Sequence, residues 1–428
     1  MSNEELMAQD LAMIFHPCSQ MKDYEKLPLI PIKSAKGSYI EDFDGNRYLD
    51  SISSWWVNLF GHCHPYINQR LQEQMGELEH VIFAGFSHKP AIDLARRLIA
   101  LTPKPLQKLF FADNGSSAVE ISLKMAFHYF KNKGEIRPFF VSLQNSYHGE
   151  TMGALAVSDT GLYKDVYSDI LIQTLQALSP ALVDEEVALE DMERLLQTHQ
   201  NQISSVIIEP LVQCAGSMKM YNASYITKLR EMCDRYGVFL IADEIAVGFG
   251  RTGSMFAIEQ AGISPDFLCL SKGITGGYMP LSVVLLTDEI YAAFYCDYNE
   301  GKSFLDSHSY TGNALACSVA NAVLDIFENE PILQSNQYKI QHIHNQTQKF
   351  TSLANVKEVR QRGMICAIEL QGYAPSQRIG LEIFQKALAQ GVYIRPLGSV
   401  VYFMPPYCFS VEELDTMIDV TYSVVKNL

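Results

Sequence analysis

The chain has 428 residues, 48% of them hydrophobic and 19% charged, with a formal net charge of -15, the balance of an ordinary globular protein of two or three domains. That acidity, with no run of Lys and Arg, excludes a nucleic-acid partner and directs attention to small molecules. Nine cysteines without a CxxC pair make no disulfide framework and fit a reducing compartment.

In chain order, the opening "MSNEELMAQDLAMIF" is acidic rather than basic, unlike a signal peptide. No apolar stretch approaches the ~18 residues of a membrane span, so a cytoplasmic location is expected. "GSYIEDFDGNRYLDSISS" has the Asp-Gly turn and alternation of a hairpin. Trp55 and Trp56, the chain's only tryptophans, follow, and then "GHCHP". His62, Cys63 and His64 stand without a complementary ligand set at a metal-binding spacing, so this stretch reads as a turn and no metal is expected.

"KLFFAD", "FFVSL", "SSVIIEP", "GVFLIADEI", "DFLCLS" and "LSVVLLT" are short and mostly apolar on both faces, as strands of a buried, largely parallel sheet are. Between them "GSSAVEISLKMAFHYFKNKG" and "ASYITKLREMCDRYG" are amphipathic helices closed by Gly. After about residue 325 a helix-rich stretch leads into "VKEVRQRGMICAIEL", "GVYIRPLG" and "VYFMPP", a small α+β unit. The reading is therefore α/β: a large domain over 57–325, with 1–56 and 326–428 as the two parts of a smaller one. "HIH" near residue 343 reads as a solvated helix face.

Several strand ends carry polar residues. Asn114, Gly115, Ser116 and Ser117 sit between a strand and a long helix; Asn114 or Ser116 caps the helix, and the Gly with its hydroxyl neighbours also makes a phosphate seat. "SYHGET" places Tyr147 and His148 in a loop after a strand, and Glu209 ends "VIIE". Asp243 ends "VFLIAD" at the carboxyl edge of the sheet, where open α/β folds bind ligands. Strand alternation puts Ile245 on its face. "GFGRTG" matches a dinucleotide fingerprint in letters but lacks a strand directly before it and a good helix after it, which counts against a nicotinamide oxidoreductase. Lys272 follows the apolar "DFLCLS", where a solvated charge is out of place. A phosphate seat, a carboxylate for a ring nitrogen and a lysine at three strand ends are what pyridoxal 5'-phosphate needs, and Tyr147 can stack on its ring opposite Ile245.

"IADEIAVGFGRTGSMFAIEQAGISPDFLCLSKGITGG" resembles the signature of the class III aminotransferases. The resemblance implies the pyridoxal-phosphate-dependent transferase fold type I. Within that class "HPCSQM", "SSWWVNLFGHCHP", "YHGET" and "IRPLGSVVYFMPPY" are similar to the biotin-pathway branch, which converts 8-amino-7-oxononanoate to 7,8-diaminononanoate with S-adenosylmethionine as amino donor. An aminotransferase for 4-aminobutyrate or ornithine is the alternative, against which the paired tryptophans and "IRPLG" count. By resemblance Lys272 links covalently to the cofactor and shuttles the proton, Asp243 faces the pyridine nitrogen, Gly115 and Ser116 seat the phosphate, and Tyr147 stacks on the ring. His308 and Ser309 match positions that reach the phosphate of the other subunit's cofactor, which implies a homodimer with shared sites. Ser307 and Trp55 match substrate-contacting positions, and Arg395 the anchor of the substrate carboxylate. Two departures stand out: Cys18 occupies the place of a tyrosine that reaches towards the substrates, and "SHS" replaces a Gly-Pro-Thr run.

Overall fold

The computed structural model describes residues 2–27 and 29–428. Six short apolar segments and a seventh, Leu175–Ala177, form one sheet in the order Leu106–Ala112, Ser282–Thr287, Phe267–Leu270, Phe239–Asp243, Ile203–Ile208, Phe139–Leu143, Leu175–Ala177. Their order is not their chain order, so the connections cross over, and Ser282–Thr287 alone runs antiparallel to its neighbours. Both faces must be covered for strands this uniformly apolar. Ile203–Ile208 and Phe267–Leu270 are buried at every position. The long helix Gly115–Asn132 contributes Val119, Ile121, Leu123 and Met125 to the core, which also holds Ile207, Ile241, Phe267 and Val284 of the sheet.

The chain divides into two units: Tyr66–Gln337 with Gln361–Met364, and Met1–Pro65 with Tyr338–Arg360 and Ile365–Leu428. The second is the α+β unit built from both chain ends. The expected hairpin is present, with Tyr39–Asp42 antiparallel to Arg47–Asp50 and Gly45 taking φ 87 in the turn. From the far end of the sequence Val392–Tyr393 joins it in parallel, setting Tyr393 beside Asp50. A separate three-stranded sheet is made by Val356–Arg362, Ile365–Leu370 and Val400–Phe403.

The helix reading of "ASYITKLREMCDRYG" holds over Ala223–Tyr236, and Gly237 ends it in the left-handed conformation. "HIH" is only partly a solvated face. Ile343 is fully buried and His342 Nε2 lies 2.6 Å from Asp415 Oδ1, because that turn of the helix Ile332–Thr347 packs onto its neighbour rather than facing water. Among the described residues no helix is long and apolar enough to cross a membrane.

Candidate active site

The carboxyl ends of the parallel strands bring the expected residues of the larger unit to one rim. Leu106–Ala112 leads to Asn114 and Gly115, Phe139–Leu143 to Tyr147, Ile203–Ile208 to Glu209, Phe239–Asp243 to Asp243 itself, and Phe267–Leu270 to Lys272. Asp243 pairs in register with Cys269, three residues before Lys272. The antiparallel strand seals the rim's floor: Ser282 Oγ donates to the Asn114 carbonyl at 2.7 Å, and Ser271 Oγ to the Leu281 carbonyl at 2.8 Å.

Asn114, not Ser116, caps the long helix, its Oδ1 accepting from the Ser117 N–H at 3.1 Å. The first-turn N–H groups of Gly115 and Ser116 have no acceptor within the helix and, with the helix dipole, favour an anion there. The Ser116 Oγ accepts from the Glu150 N–H at 3.0 Å, which folds the "YHGET" loop onto the helix start. Gly149, at φ 127, is required at that contact, since a Cβ there would lie 2.1 Å from Ser116 Oγ.

Asp243 is 5% exposed. One carboxylate oxygen accepts from the Ile245 N–H at 3.1 Å, and the other lies 2.8 Å from His148 Nδ1. His148 was visible in the sequence only as Tyr147's neighbour. Its role as the group that orients Asp243 depends on a contact across 95 positions of sequence, which no local pattern announces. Glu209 lies in the same pocket of charge: its Oε1 accepts from the Tyr147 N–H at 3.3 Å, and Oε2 is buried. Burial, reinforced by the negative charge of Asp243, pushes the Glu209 carboxyl well above the usual range. Cys214, unremarked in the sequence, is buried beside the same charges, and burial raises its thiol.

Lys272 opens the short helical turn Lys272–Thr275 with φ 48, a left-handed conformation that costs a side-chain-bearing residue roughly 1–3 kcal/mol. Burial pushes its amine below the ordinary lysine value, against the opposing pull of Asp243, Cys214 and Glu209. The neutral, nucleophilic amine is favoured accordingly.

Ile245 does not owe its position to strand alternation. The strand ends at Asp243, so alternation does not extend to residue 245. Ile245 instead lies against Gly115, where a Cβ would meet its Cγ2 at 3.0 Å. The helix start, the glycine and the apolar side chain thus form one cradle, and these residues fit a phosphorylated, cationic ring. Tyr147 is half-buried, its hydroxyl donating to Glu150 Oε1 at 3.0 Å and its ring 5.5 Å from that of Tyr163. "GFGRTG" opens no helix: only the turn Ala257–Ala261 follows, its first N–H groups bound by Glu244 at 2.7 Å. His308 Nδ1 lies 2.9 Å from Asp113 Oδ2, while Ser307 and Ser309 are exposed.

In the smaller unit Trp55 and Arg395 meet. The guanidinium lies 4.9 Å from the centre of the Trp55 ring, and Arg395 Nη2 donates to the Cys18 carbonyl at 3.0 Å. Both side chains line a cavity of about 360 Å³ whose walls include Ile30, Ile52, Phe384 and Tyr393. The cavity is an apolar, aromatic slot with a cation, the chemistry that suits a hydrocarbon chain ending in a carboxylate. Among the described residues no cluster of three potential metal ligands occurs.

Residues 20–425 match the model of the class-III aminotransferases. The chain is a class III aminotransferase. It is 49% identical over 96% of its length, and 95% of the relative's, to adenosylmethionine-8-amino-7-oxononanoate aminotransferase of Helicobacter pylori, and 40% identical over 96% and 95% to that of Geobacter sulfurreducens. The crystal structure of adenosylmethionine-8-amino-7-oxononanoate aminotransferase from Methanocaldococcus jannaschii superposes with a TM-score of 0.96 at 36% identity, covering 99% of both chains. An amine transaminase from an uncultivated Pseudomonas species, solved in a PLP-bound form, gives 0.90 at 30% identity over 96% and 98%. Class III aminotransferases work through pyridoxal phosphate, and their fold type I architecture is the one described above.

Proposed function

We propose that this aminotransferase converts 8-amino-7-oxononanoate to 7,8-diaminononanoate in biotin biosynthesis, with S-adenosylmethionine as amino donor. The observation that carries the substrate class is the apolar slot with Arg395 at 4.9 Å from Trp55; the named relatives supply the particular acceptor. Bound pyridoxal phosphate supplies a carbonyl that receives the amino group and a ring that takes up charge as a C–H bond breaks. Gly115 and Ser116 hold its phosphate, Asp243 faces the ring nitrogen, Ile245 and Tyr147 hold the ring faces, and His148 keeps Asp243 in place. Lys272 forms the covalent attachment and, released as a neutral amine, moves the proton at its Nζ. Trp55 lies along the acceptor's hydrocarbon chain, Arg395 takes its carboxylate, and Ser307 contacts substrate.

The enzyme acts as a cytoplasmic homodimer, His308 and Ser309 of each subunit reaching the cofactor phosphate of the other. The segment around them supports this reading, since Tyr298, Leu305 and Tyr310 are 98%, 92% and 66% exposed in the single chain, large side chains of the kind that an interface covers.

Borohydride treatment of the holoenzyme should fix the cofactor to the peptide that carries Lys272, and Lys272→Ala should lose both that mass and turnover. Attachment at another residue would sink the assignment. Turnover of 8-amino-7-oxononanoate should exceed that of 4-aminobutyrate or ornithine, and the reverse preference would refute the substrate.

A further inference from the structure

The backbone of Ser53, Ser54, Trp55 and Trp56 takes φ values of 52, 46, 72 and 72. A run of four side-chain-bearing residues in the left-handed region persists only where the surroundings impose it. Asp50 imposes it here. Its side chain is fully buried; Oδ1 accepts from the Ser54 N–H at 2.9 Å, and Oδ2 accepts from the Ser54 hydroxyl at 2.7 Å and lies 2.9 Å from His62 Nε2. His62 is in turn pinned through its backbone, exchanging two hydrogen bonds with Gly37 at 2.8 and 3.0 Å. The outer end of the turn is tied down by Ser53 Oγ on the Met404 carbonyl at 2.7 Å and by Trp56 Nε1 on the Tyr402 hydroxyl at 3.0 Å. With Trp56 buried and anchored, the turn directs Trp55, 40% exposed, to the face that also carries Arg395.

We propose that Asp50 and His62 are positioning residues for the acceptor: the pair holds the left-handed turn that sets Trp55 against Arg395 and so shapes the slot for the carboxylate-bearing chain. The first half of the "GHCHP" motif then has a task, and it is not metal binding. The inference rests on the reading of that slot as the acceptor site. The role of His62 is to lock the second oxygen of Asp50, since a carboxylate bonded only to Ser54 can rotate and release the turn.

Because both tryptophans of the chain lie in this turn, tryptophan emission reports on it directly. The experiment uses the holoenzyme with His62→Ala, His62→Gln and Ser54→Ala. His62→Ala and Ser54→Ala should shift the emission and raise the KM for 8-amino-7-oxononanoate on the order of tenfold, with kcat and the cofactor's absorbance little changed. His62→Gln, whose amide nitrogen reaches where His62 Nε2 lies, should restore most of both. Unchanged emission and KM in His62→Ala would overturn the proposal, as would a shifted emission with the wild-type KM. A wild-type enzyme that ignores this acceptor would refute the substrate assignment instead, and the emission of the variants would still decide whether the pair holds the turn.

Discussion

Cys18 and Arg395 illustrate how a substitution and its consequence separate at the level of single residues. With Cys18 in place of a tyrosine, the contacts to the amino donor are expected to differ, because a thiol is short and a poor donor. In the structure Cys18 takes φ 49 and meets Arg395 both through its carbonyl, at 3.0 Å, and through its thiol; only the weak thiol contact depends on the side chain. Cys18→Ala should therefore change the acceptor KM by less than about threefold, whereas Arg395→Ala should raise it on the order of a hundredfold, the cost of a lost charge-assisted pair. Steady-state kinetics with 8-amino-7-oxononanoate decide this, and a large effect of Cys18→Ala would mean that the thiol itself serves the substrate. Lys272 is a second case. An apolar strand before a lysine looked anomalous, and the burial that makes it so is what lowers its amine.

Among the elements, the N-terminal hairpin shows how a turn stores pH-dependent stability. Burial alone would raise Asp42, but hydrogen bonds from the Asn46 side chain at 2.9 Å, the Asn46 N–H at 2.8 Å and the Tyr48 hydroxyl at 2.9 Å outweigh it, and the carboxyl is lowered to about 2. A folded value below the unfolded ~3.9 means stability present above about pH 4 and lost as the pH falls towards that of the folded group. The contribution is on the order of 2 kcal/mol. In urea unfolding, Asp42→Asn should be less stable than wild type near neutrality, and the gap should close in acid. A gap independent of pH would exclude the carboxylate as its source. The Asp-Gly turn and alternation made this hairpin legible, since its paired residues lie within ten positions of one another and the Asp42 contacts within six. The strand-end residues of the large sheet were legible for a similar reason: each sits directly after an apolar run. The place of Ile245 was not legible in this way, because alternation stops where the strand ends at Asp243 and the contact with Gly115 arises from packing against the helix start.

At the scale of the whole molecule, the proposed sharing of sites between subunits makes a distinct prediction. Mixing Lys272→Ala chains with His308→Ala chains, after dissociation and reassociation, should give hybrid dimers in which one site carries both defects and the other neither. Activity should rise to about one quarter of wild type, half the dimers being mixed and half of their sites intact. No recovery would place His308 in its own chain's site, where Asp113 already holds it at 2.9 Å.

The sequence alone determined the class of chemistry. Strand-end polar residues are local features: apolar runs define the strands, the residue after each run lies at the rim, and an α/β sheet works at that rim. Those facts, with a long and specific signature, were enough for the cofactor and for bringing Lys272, Asp243 and Gly115 to that rim. What only the tertiary structure decided is what orients them. His148 on Asp243, Cys214 beside Glu209, and the Asp50–His62 pair beneath Trp55 join residues through space, and Trp55 meets Arg395 because a strand from the far end of the chain pairs in parallel with Arg47–Asp50. Such contacts follow from how separate segments pack, and a linear pattern carries no record of them.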